Sequence, residues 1–485
     1  AQVRRNVNGD LKSFTADEVT DGTLTSFVNE SFTSSLPLDV AGSAAAAYGL
    51  RNLSSSYSGN VVEVRRSSDD TTQNFTAAEV TDGTLLAFVN LDDAYKGKAF
   101  LNNNSNAKVT FSSSYAMLAS NNWSIKFTMI LGKEIGAGFG ILGDTTNNSL
   151  FVGTNRRSMG FTDAAGNFVS INPTVADQNA GQPIQVELFN TVGSGVAVKF
   201  DGVTVSSASA VGDFTFNTLG SARGRSQERV IFDLEIDLNG DGTVDHKYAG
   251  DGNQNSNWVD QKGNSNGTVS GAVTDYNNEF TDGHVKTWYD QSGNSNNATQ
   301  ATAAEQPKIV SAGTLVTGGI DFTPGESLVK TGLSISSPLN TFVVSTADVN
   351  SSGAILKLAT SVSQQYRTSR QLLLQYSDLQ FTSSNVYTVG EQNLQSFQFV
   401  AGTSVGFFNG TQVLSGTTTG QTVTEFRLGN NNSFGLDGKI NEAIIYDSDQ
   451  SDNRRAIEES IAGHHGITLG SFSRDGFVKT WYDQS

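Results

Sequence analysis

Two different stretches of this sequence each occur a second time further along the chain. The first is Phe14–Asn29, FTADEVTDGTLTSFVN, which returns at Phe75–Asn90 as FTAAEVTDGTLLAFVN. The second is Gly283–Ser292, GHVKTWYDQS, which returns at Gly476–Ser485 as GFVKTWYDQS. Because a repeated sequence indicates a repeated structure, we predict two copies of one small unit.

We interpret the two stretches as halves of one β unit. A half alone exposes a strand edge and an incomplete core, which makes it prone to pair with another half. We predict that Val64–Asn90 joins Gly283–Ser292, and that Val3–Asn29 joins Gly476–Ser485, within one chain or head-to-tail with the next. Head-to-tail contacts that do not close produce filaments. The alternative is plain tandem duplication without such assembly.

Aromatic side chains are the predicted anchors of these half-motifs. The stretch VKTWY alternates polar and apolar residues like a strand, which favours burial of its Trp–Tyr pairs with their polar groups hydrogen-bonded. If exposed, the same rings could stack on sugars. The predicted assembly residues are Phe14, Phe27, Phe75, Phe88, Trp288, Tyr289, Trp481 and Tyr482.

Period-two alternation dominates the rest of the chain and predicts an all-β fold. Short alternating runs are separated by Gly, Asn and Asp, and strong hairpin signals stand at Asp201-Gly202 and Asn409-Gly410. We predict two β-sandwiches and a small repeated unit of strands and short helices. The predicted divisions are 1–94 for repeated half-motifs, 95–235 for the first sandwich, 236–292 for a loop-rich junction, 293–468 for the second sandwich and 469–485 for a C-terminal half-motif.

Three segments carry helix signals. The Ala-rich run Ala44–Leu53 is predicted to be helical, and Thr81–Val89 is predicted to form a short helix or turn. An amphipathic helix capped by Ser451 or Asp452 and stopped at Gly463 is predicted to lie on the second sandwich.

Charge and composition argue against several classes of partner. The chain of 485 residues has a net charge of -17, whereas phosphates are bound by clustered Lys and Arg. Nucleic acids and anionic membranes are therefore not expected partners. The chain has no cysteine and no apolar run of membrane-spanning length, so neither disulfides nor membrane insertion is expected. No signal peptide is visible and the first residue is Ala, so we expect a processed chain or a piece of a longer one.

The loop that begins at residue 237 carries the strongest local motif. Carboxylate and amide side chains alternate around Gly242, which is the arrangement that wraps a calcium ion. Tyr248 stands where an EF-hand has its bidentate Glu, so a complete EF-hand is not predicted. The alternative is an Asp-rich turn that binds no ion. The predicted calcium ligands are Asp237, Asn239, Asp241, Thr243 and Asp245.

Two resemblances extend this interpretation. The sequence GKINEAIIYD at 438–447, with the following helix and HHGI, resembles the close of concanavalin-like (laminin-G-like) jelly-roll domains. It covers residues 293–468 well and 95–235 loosely, which implies two jelly-roll sandwiches. Residues 44–70 together with 285–310 resemble the opening of the catalytic domain of family-B α-L-arabinofuranosidases, an opening also found in virion and fibre proteins of marine phages. In those relatives the two parts lie close together, which implies that the first sandwich is inserted between them.

These features predict a structural and adhesive surface protein. The favoured role is a phage virion fibre, appendage or decoration protein, extracellular or on the virion surface, that self-assembles and can bind a cell-surface glycan, with calcium as a candidate cofactor. One alternative is a repeat unit of a large secreted bacterial adhesin or extracellular filament. A second alternative is an arabinofuranosidase-like glycoside hydrolase. Since no segment matches that family's nucleophile or acid regions, no catalytic residue is assigned and no enzymatic activity is expected.

Overall fold

Antiparallel β-sheets form most of this fold, which confirms the predicted all-β class. The strands build two sandwiches, and a small three-stranded sheet lies beside the second sandwich. In the described part of the chain, no helix has both the length and the apolar character that a membrane span needs. The computed structural model describes residues 1–483 apart from 68–69, 91–94, 102–106, 132–138, 144–147, 153–158, 167, 172–182, 209–211, 221–228, 252–257, 272, 278–280, 360–361, 377–378 and 421.

The first ninety residues alternate short strands with short helices. A helix occupies most of Thr81–Val89, which confirms that prediction. In chain order the elements are β1 (Gln2–Arg5), β2 (Leu11–Ser13), α1 (Ala16–Thr20), α2 (Thr23–Val28), α3 (Pro37–Val40), β3 (Ala46–Gly49), β4 (Asn60–Arg66), β5 (Thr72–Thr76), α4 (Ala77–Thr81) and α5 (Thr84–Val89).

The prediction of a helix over Ala44–Leu53 is wrong, because the alanines form strand β3. All four residues of β3 are buried, and the strand pairs with a later strand in which Ile445 lies opposite Ala46. Ala46 and Tyr48 pack in the core of the second sandwich, whereas Ala47 packs on the other side of the sheet. Burial on both faces favours small side chains here, and this tertiary packing overrides the helix propensity of alanine.

Two antiparallel sheets enclose the first hydrophobic core. One sheet has the order β12-β11-β10-β9-β16-β7-β19, and the other β15-β14-β13-β8-β17-β6-β20 with β18 beside β17. The strands are β6 (Ala99–Leu101), β7 (Lys108–Met117), β8 (Trp123–Leu131), β9 (Phe139–Gly143), β10 (Ser149–Val152), β11 (Met159–Thr162), β12 (Phe168–Ile171), β13 (Pro183–Thr191), β14 (Gly195–Phe200), β15 (Val203–Ala208), β16 (Phe214–Leu219), β17 (Arg229–Asp237), β18 (His246–Tyr248), β19 (Gly267–Ser270) and β20 (Val273–Asp275).

The first sandwich extends beyond the predicted limit at residue 235. β18, β19 and β20 come from the predicted loop-rich junction, yet each pairs with a strand of this sandwich. These strands are short and glycines lie between them, so the sequence shows no clear alternation of polar and apolar residues there. The whole sandwich is inserted between α5 and the next strand of the repeated unit. At the two ends of the insertion, Thr281 Oγ1 donates to Asn90 Oδ1 over 3.1 Å.

The second sandwich is built from both sides of that insertion. β4, β5 and β3 join its sheets, and the two layers enclose a core that includes Val343, Ile355 and Phe426. Its further elements are β21 (Gly283–Trp288), β22 (Ala298–Thr299), β23 (Lys308–Ser311), β24 (Thr314–Leu315), β25 (Ile320–Phe322), β26 (Leu328–Ser336), β27 (Leu339–Ala347), β28 (Gly353–Ala359), β29 (Val362–Arg367), β30 (Gln371–Tyr376), β31 (Leu379–Asn385), β32 (Gln392–Phe399), β33 (Gly402–Phe408), β34 (Thr411–Thr418), β35 (Thr422–Leu428), β36 (Gly438–Tyr446), α6 (Arg454–His465) and, after it, β37 (Gly476–Thr480).

Helix α6 lies on the outer face of the second sandwich, as predicted. Ile457 and Ile461 pack there against Ile444 of β36. The predicted stop at Gly463 is wrong, since the helix continues to His465 and ends at Gly466, whose φ of 67° suits glycine. Gly463 has another role, because a Cβ at this position would lie 2.4 Å from a backbone oxygen of residue 33.

The two predicted hairpins are confirmed. β14 and β15 turn at Asp201-Gly202, and β33 and β34 turn at Asn409-Gly410. All four turn residues have positive φ angles, which is the conformation that the Asp-Gly and Asn-Gly sequences favour.

Candidate interaction site in the repeated unit

The two halves of each predicted unit come together within one chain, which confirms that part of the hypothesis. β4 pairs with β21 so that Arg66 lies opposite Gly283. β1 pairs with β37 in the same register, with Arg5 opposite Gly476. We call residues 60–90 with 283–292 the middle unit, and residues 1–29 with 476–483 the terminal unit.

The helical part of both units is set by local signals in the sequence. In the middle unit, Thr76 and Glu79 form a capping box, with the Glu79 carboxylate accepting from the Thr76 amide over 2.8 Å. Gly83 then takes a φ of 98°, which separates the two short helices. Thr15 and Glu18 repeat the capping box in the terminal unit. The repeated sequence thus produces a repeated backbone.

An arginine and two phenylalanines form the small core of each unit. In the middle unit, the Phe75 and Phe88 rings are 5.5 Å apart, and the Arg66 guanidinium lies 4.9 Å from the Phe88 ring. Arg66 also donates to the backbone oxygen of Phe88 over 2.7 Å. The terminal unit repeats these contacts with Phe14, Phe27 and Arg5, at 5.4 Å between the rings and 4.5 Å from the guanidinium to Phe27.

The second sandwich covers the middle unit. Trp288 is completely buried, with its ring centroid 5.8 Å from that of Tyr48, so the expectation of burial is confirmed for this residue. The expectation that its polar group is hydrogen-bonded is wrong, because Trp288 Nε1 has no hydrogen-bond partner among the described residues. Tyr289 is half-buried and donates its hydroxyl to Asn74 Oδ1 over 2.8 Å. The middle unit is therefore an integral part of the sandwich.

The residues that follow Tyr289 hold the segment containing β3. Asp290 Oδ1 accepts from the Ala47 amide over 2.9 Å. Gln291 Oε1 accepts from the Leu53 amide over 2.8 Å, while its Nε2 donates to the Gly49 oxygen over 3.0 Å. These side chains satisfy buried backbone groups, so the DQS sequence has a structural role in the middle unit.

The terminal unit exposes the positions that the middle unit buries. Trp481 is 77% exposed and Val478 is 55% exposed, whereas Trp288 and Val285, the equivalent residues, are both 0% exposed. The expectation of burial is therefore wrong for Trp481. Tyr482 is 47% exposed, so the expectation of burial is wrong for this residue too, and its hydroxyl lies 3.1 Å from Ser13 Oγ. The same sequence thus presents an aromatic surface in one copy only.

Sequence reasoning missed several residues of this surface. Phe477 is 51% exposed and Val19 is 45% exposed, while their equivalents His284 and Val80 are at most 4% exposed. Alignment of the two copies identifies the equivalent residues, because they fall at constant offsets along the chain, but it does not indicate which copy is exposed. We call Val19, Phe477, Val478, Trp481 and Tyr482 the terminal face.

The opposite side of the terminal unit is anchored on helix α6. Val7 and Phe32 pack against Ala456, and the Ala456 amide donates to the Val7 oxygen over 3.2 Å. Arg474 Nη2 contacts both carboxylate oxygens of Glu459 at 2.7 Å. The terminal unit is thus held against α6 while the residues of its terminal face stay exposed.

The predicted calcium loop forms a network of backbone hydrogen bonds. Asp237 accepts from the Gly240 amide over 2.7 Å and from the Gly242 amide over 2.9 Å. Bonds from Thr243 hold the pKa of Asp241 below its usual value. Among the described residues, no cluster of three His, Cys, Asp or Glu side chains is arranged to hold a metal ion. Calcium binding by Asp237, Asn239, Asp241, Thr243 and Asp245 stays a prediction.

A buried ion-pair cluster joins the second sandwich to its helix. Glu442 of β36 lies 2.9 Å from Arg51 Nε and 3.0 Å from His465 Nε2. Burial raises the pKa of Glu442, but Arg51 and His465 outweigh this effect, and the pKa lies below its usual value. Burial and the Arg51 charge lower the pKa of His464 to about 4. Glu442 contacts both Arg51 and His465, so its buried carboxylate is paired and we assign the cluster a structural role.

Comparison with known proteins adds no family assignment. No family model matches the sequence, and no curated protein matches it either. Solved structures with a similar arrangement include domains LG4-5 of the mouse laminin alpha1 chain, with 10% identity over 73% of this chain and 91% of that one, at a TM-score of 0.26.

Two further solved structures are similar over smaller parts. A GH54 α-L-arabinofuranosidase soaked with a cyclic sulfate inhibitor has 16% identity over 40% of this chain and 55% of that one, at a TM-score of 0.31. The CBM40 of a Ruminococcus gnavus sialidase, bound to α2,3 sialyllactose, has 11% identity over 29% of this chain and 95% of that one, at a TM-score of 0.24. These TM-scores are low, and our description of the fold rests on the strand pairing alone.

Proposed function

We propose that this chain is a structural and adhesive protein of an extracellular or virion surface, and that its terminal face docks it to a neighbour in an assembly. The observation that supports the proposal is the contrast between Trp481, which is largely exposed, and Trp288, which is completely buried in an equivalent position. Large apolar side chains that are exposed together on one small unit are typical of an interaction site, whereas single scattered ones are not.

The strand beneath the terminal face supports the same role. β37 pairs with β1 along one edge, and among the described residues no strand pairs with its other edge. An open edge beside exposed aromatic side chains is a template for pairing with another chain.

Light scattering of the full chain over a range of concentrations tests this docking. We expect the mass of the wild-type protein to rise with concentration, because two open β37 edges can pair when no other partner is present. W481S should reduce this association. V203S is the matched control, since Val203 is 66% exposed on the other sandwich. A constant monomer mass at all concentrations would contradict association between copies.

We further infer that the second sandwich binds a cell-surface glycan. A cleft of about 380 Å³ lies beside the DQS sequence, and Ser43, Ser54, Ser56 and Tyr57 line it. Hydroxyl groups around one aromatic ring are suited to a sugar. A glycan array with the wild-type protein, Y57A and W481S tests the inference. Binding should be lost in Y57A and kept in W481S, and equal binding by all three would contradict the role of the cleft.

The proposed role requires no catalysis. We expect no release of arabinose from a synthetic arabinofuranoside, and turnover above background would favour the glycoside hydrolase alternative.

A further inference from the structure

We propose that the terminal unit binds a further jelly-roll sandwich, through an edge segment equivalent to residues 293–316 of this chain. This inference rests on the proposed docking role and names the partner. The reason is that the second sandwich already covers the middle unit with this segment. The contact between the middle unit and residues 293–316 therefore shows how the terminal unit can bind an equivalent segment.

Both edges of the middle strand β21 are paired. β4 lies on one side, and β22 and β23 lie on the other, with Ala298 opposite Trp288 and Lys308 opposite His284. Further bonds run from the Val285 amide to the Pro307 oxygen over 2.7 Å. In the described part of the terminal unit, β37 pairs with β1, which is the equivalent of β4, but with no equivalent of β22 or β23. The position of β22 and β23 is the one that a partner can occupy.

The terminal face matches the face that the sandwich buries. Val80 of the middle unit packs in the sandwich core together with Val285 and Trp288. Its equivalent, Val19, lies on the terminal face together with Val478 and Trp481. The exposed residues are thus the equivalents of contact residues, which distinguishes this surface from scattered apolar side chains.

The middle unit also specifies the chemistry of the partner. Ala298 is completely buried opposite Trp288, so the partner strand needs a small residue there. Lys308 Nζ lies 2.9 Å from Asp282, whose equivalent is Asp475, the residue just before β37 of the terminal unit. The partner therefore carries a small residue, followed ten residues later by a cation.

A second folded copy of this chain does not offer this segment freely. Its residues 298–299 and 308–311 already pair with its own β21. We therefore commit to a further sandwich whose edge segment is unoccupied.

Trp481 provides a selective signal for the test. The other three of the four tryptophans, at positions 123, 258 and 288, are at most 2% exposed. Quenching of fluorescence by acrylamide therefore reports mainly on Trp481 in the full chain, and W481F supplies the baseline.

The decisive variant appends a second copy of residues 293–316 after Ser485, because Ser485 corresponds to Ser292. We expect acrylamide quenching to fall to the W481F level and concentration-dependent association to be lost. One control extension has the same composition in scrambled order. Another carries Glu in place of the copied Ala298. Neither should protect Trp481.

The outcomes separate the inference from the docking role. If Trp481 stays quenchable in the extended chain while the wild-type protein associates, the partner assignment is overturned and the docking role stands. If the wild-type protein stays monomeric but the extension protects Trp481, the partner assignment stands and association between copies is overturned. Equal protection by the scrambled extension would also overturn the partner assignment.

Discussion

Replacement of the two equivalent tryptophans by alanine should change stability by very different amounts. Trp288 is completely buried, and removal of a buried Trp side chain costs about 3–5 kcal/mol of unfolding free energy. Burial of about 200 Å² at about 25 cal/mol per Å² gives about 5 kcal/mol, in agreement with that range. Trp481 is 77% exposed, so about a quarter of the same area is buried and the expected cost is about 1 kcal/mol.

Differential scanning calorimetry measures this difference. In a domain of this size, 1 kcal/mol corresponds to about 2–4 °C in Tm, so W288A should lower the transition of the second sandwich by about 6–20 °C. W481A should lower it by at most a few degrees. W288F is the matched control, since it keeps an aromatic ring beside Tyr48 and should lose less than W288A. Equal shifts for W288A and W481A would refute the reasoning.

Three other predictions concern charged side chains. E442Q should lower the unfolding free energy by about 3 kcal/mol in urea titration, because it leaves Arg51, whose side chain is 15% exposed, without its counter-ion. A loss below about 1 kcal/mol would contradict this. Burial raises the pKa of Asp260, but hydrogen bonds from His246 and backbone amides outweigh this effect and lower the pKa to about 2. The ionised Asp260 therefore contributes its full stabilisation of the fold above the ordinary pKa of 3.8, and this contribution is lost as the pH falls towards 2. D260N should remove that pH dependence, and an unchanged acid profile would argue against it. If the 237–245 loop binds calcium, calcium at about 100 times its Kd should stabilise the wild-type protein by about 2.7 kcal/mol, and D237N should gain no such stability. Equal melting temperatures of the wild-type protein with calcium and with a chelator would count against the site.

The repeated stretches allowed the pairing of distant strands to be predicted. Because both stretches are repeated, each copy of the first half was expected to pair with its own copy of the second half. The pairs β4–β21 and β1–β37 fulfil that expectation. The hairpins at Asp201-Gly202 and Asn409-Gly410 followed from local backbone preferences, which tertiary packing left unchanged.

Other features depend on contacts between distant residues and could not be predicted. Trp288 and Trp481 have the same immediate sequence, but only Trp288 lies opposite the strand containing Ala298. Within the Ala44–Leu53 segment, β3 forms because β36 pairs with it, while the sandwich core covers one face and α6 covers the other. Glu442 gave no signal, since its partner Arg51 is separated from it by most of the chain.

The contact between Asn90 and Thr281 means that the inserted sandwich leaves and rejoins the rest of the chain at a single point. A domain whose two ends lie side by side can be exchanged without separating the strands on either side of it. A domain whose own ends lie equally close together can replace it, and the sheets of the second sandwich then keep their strand order.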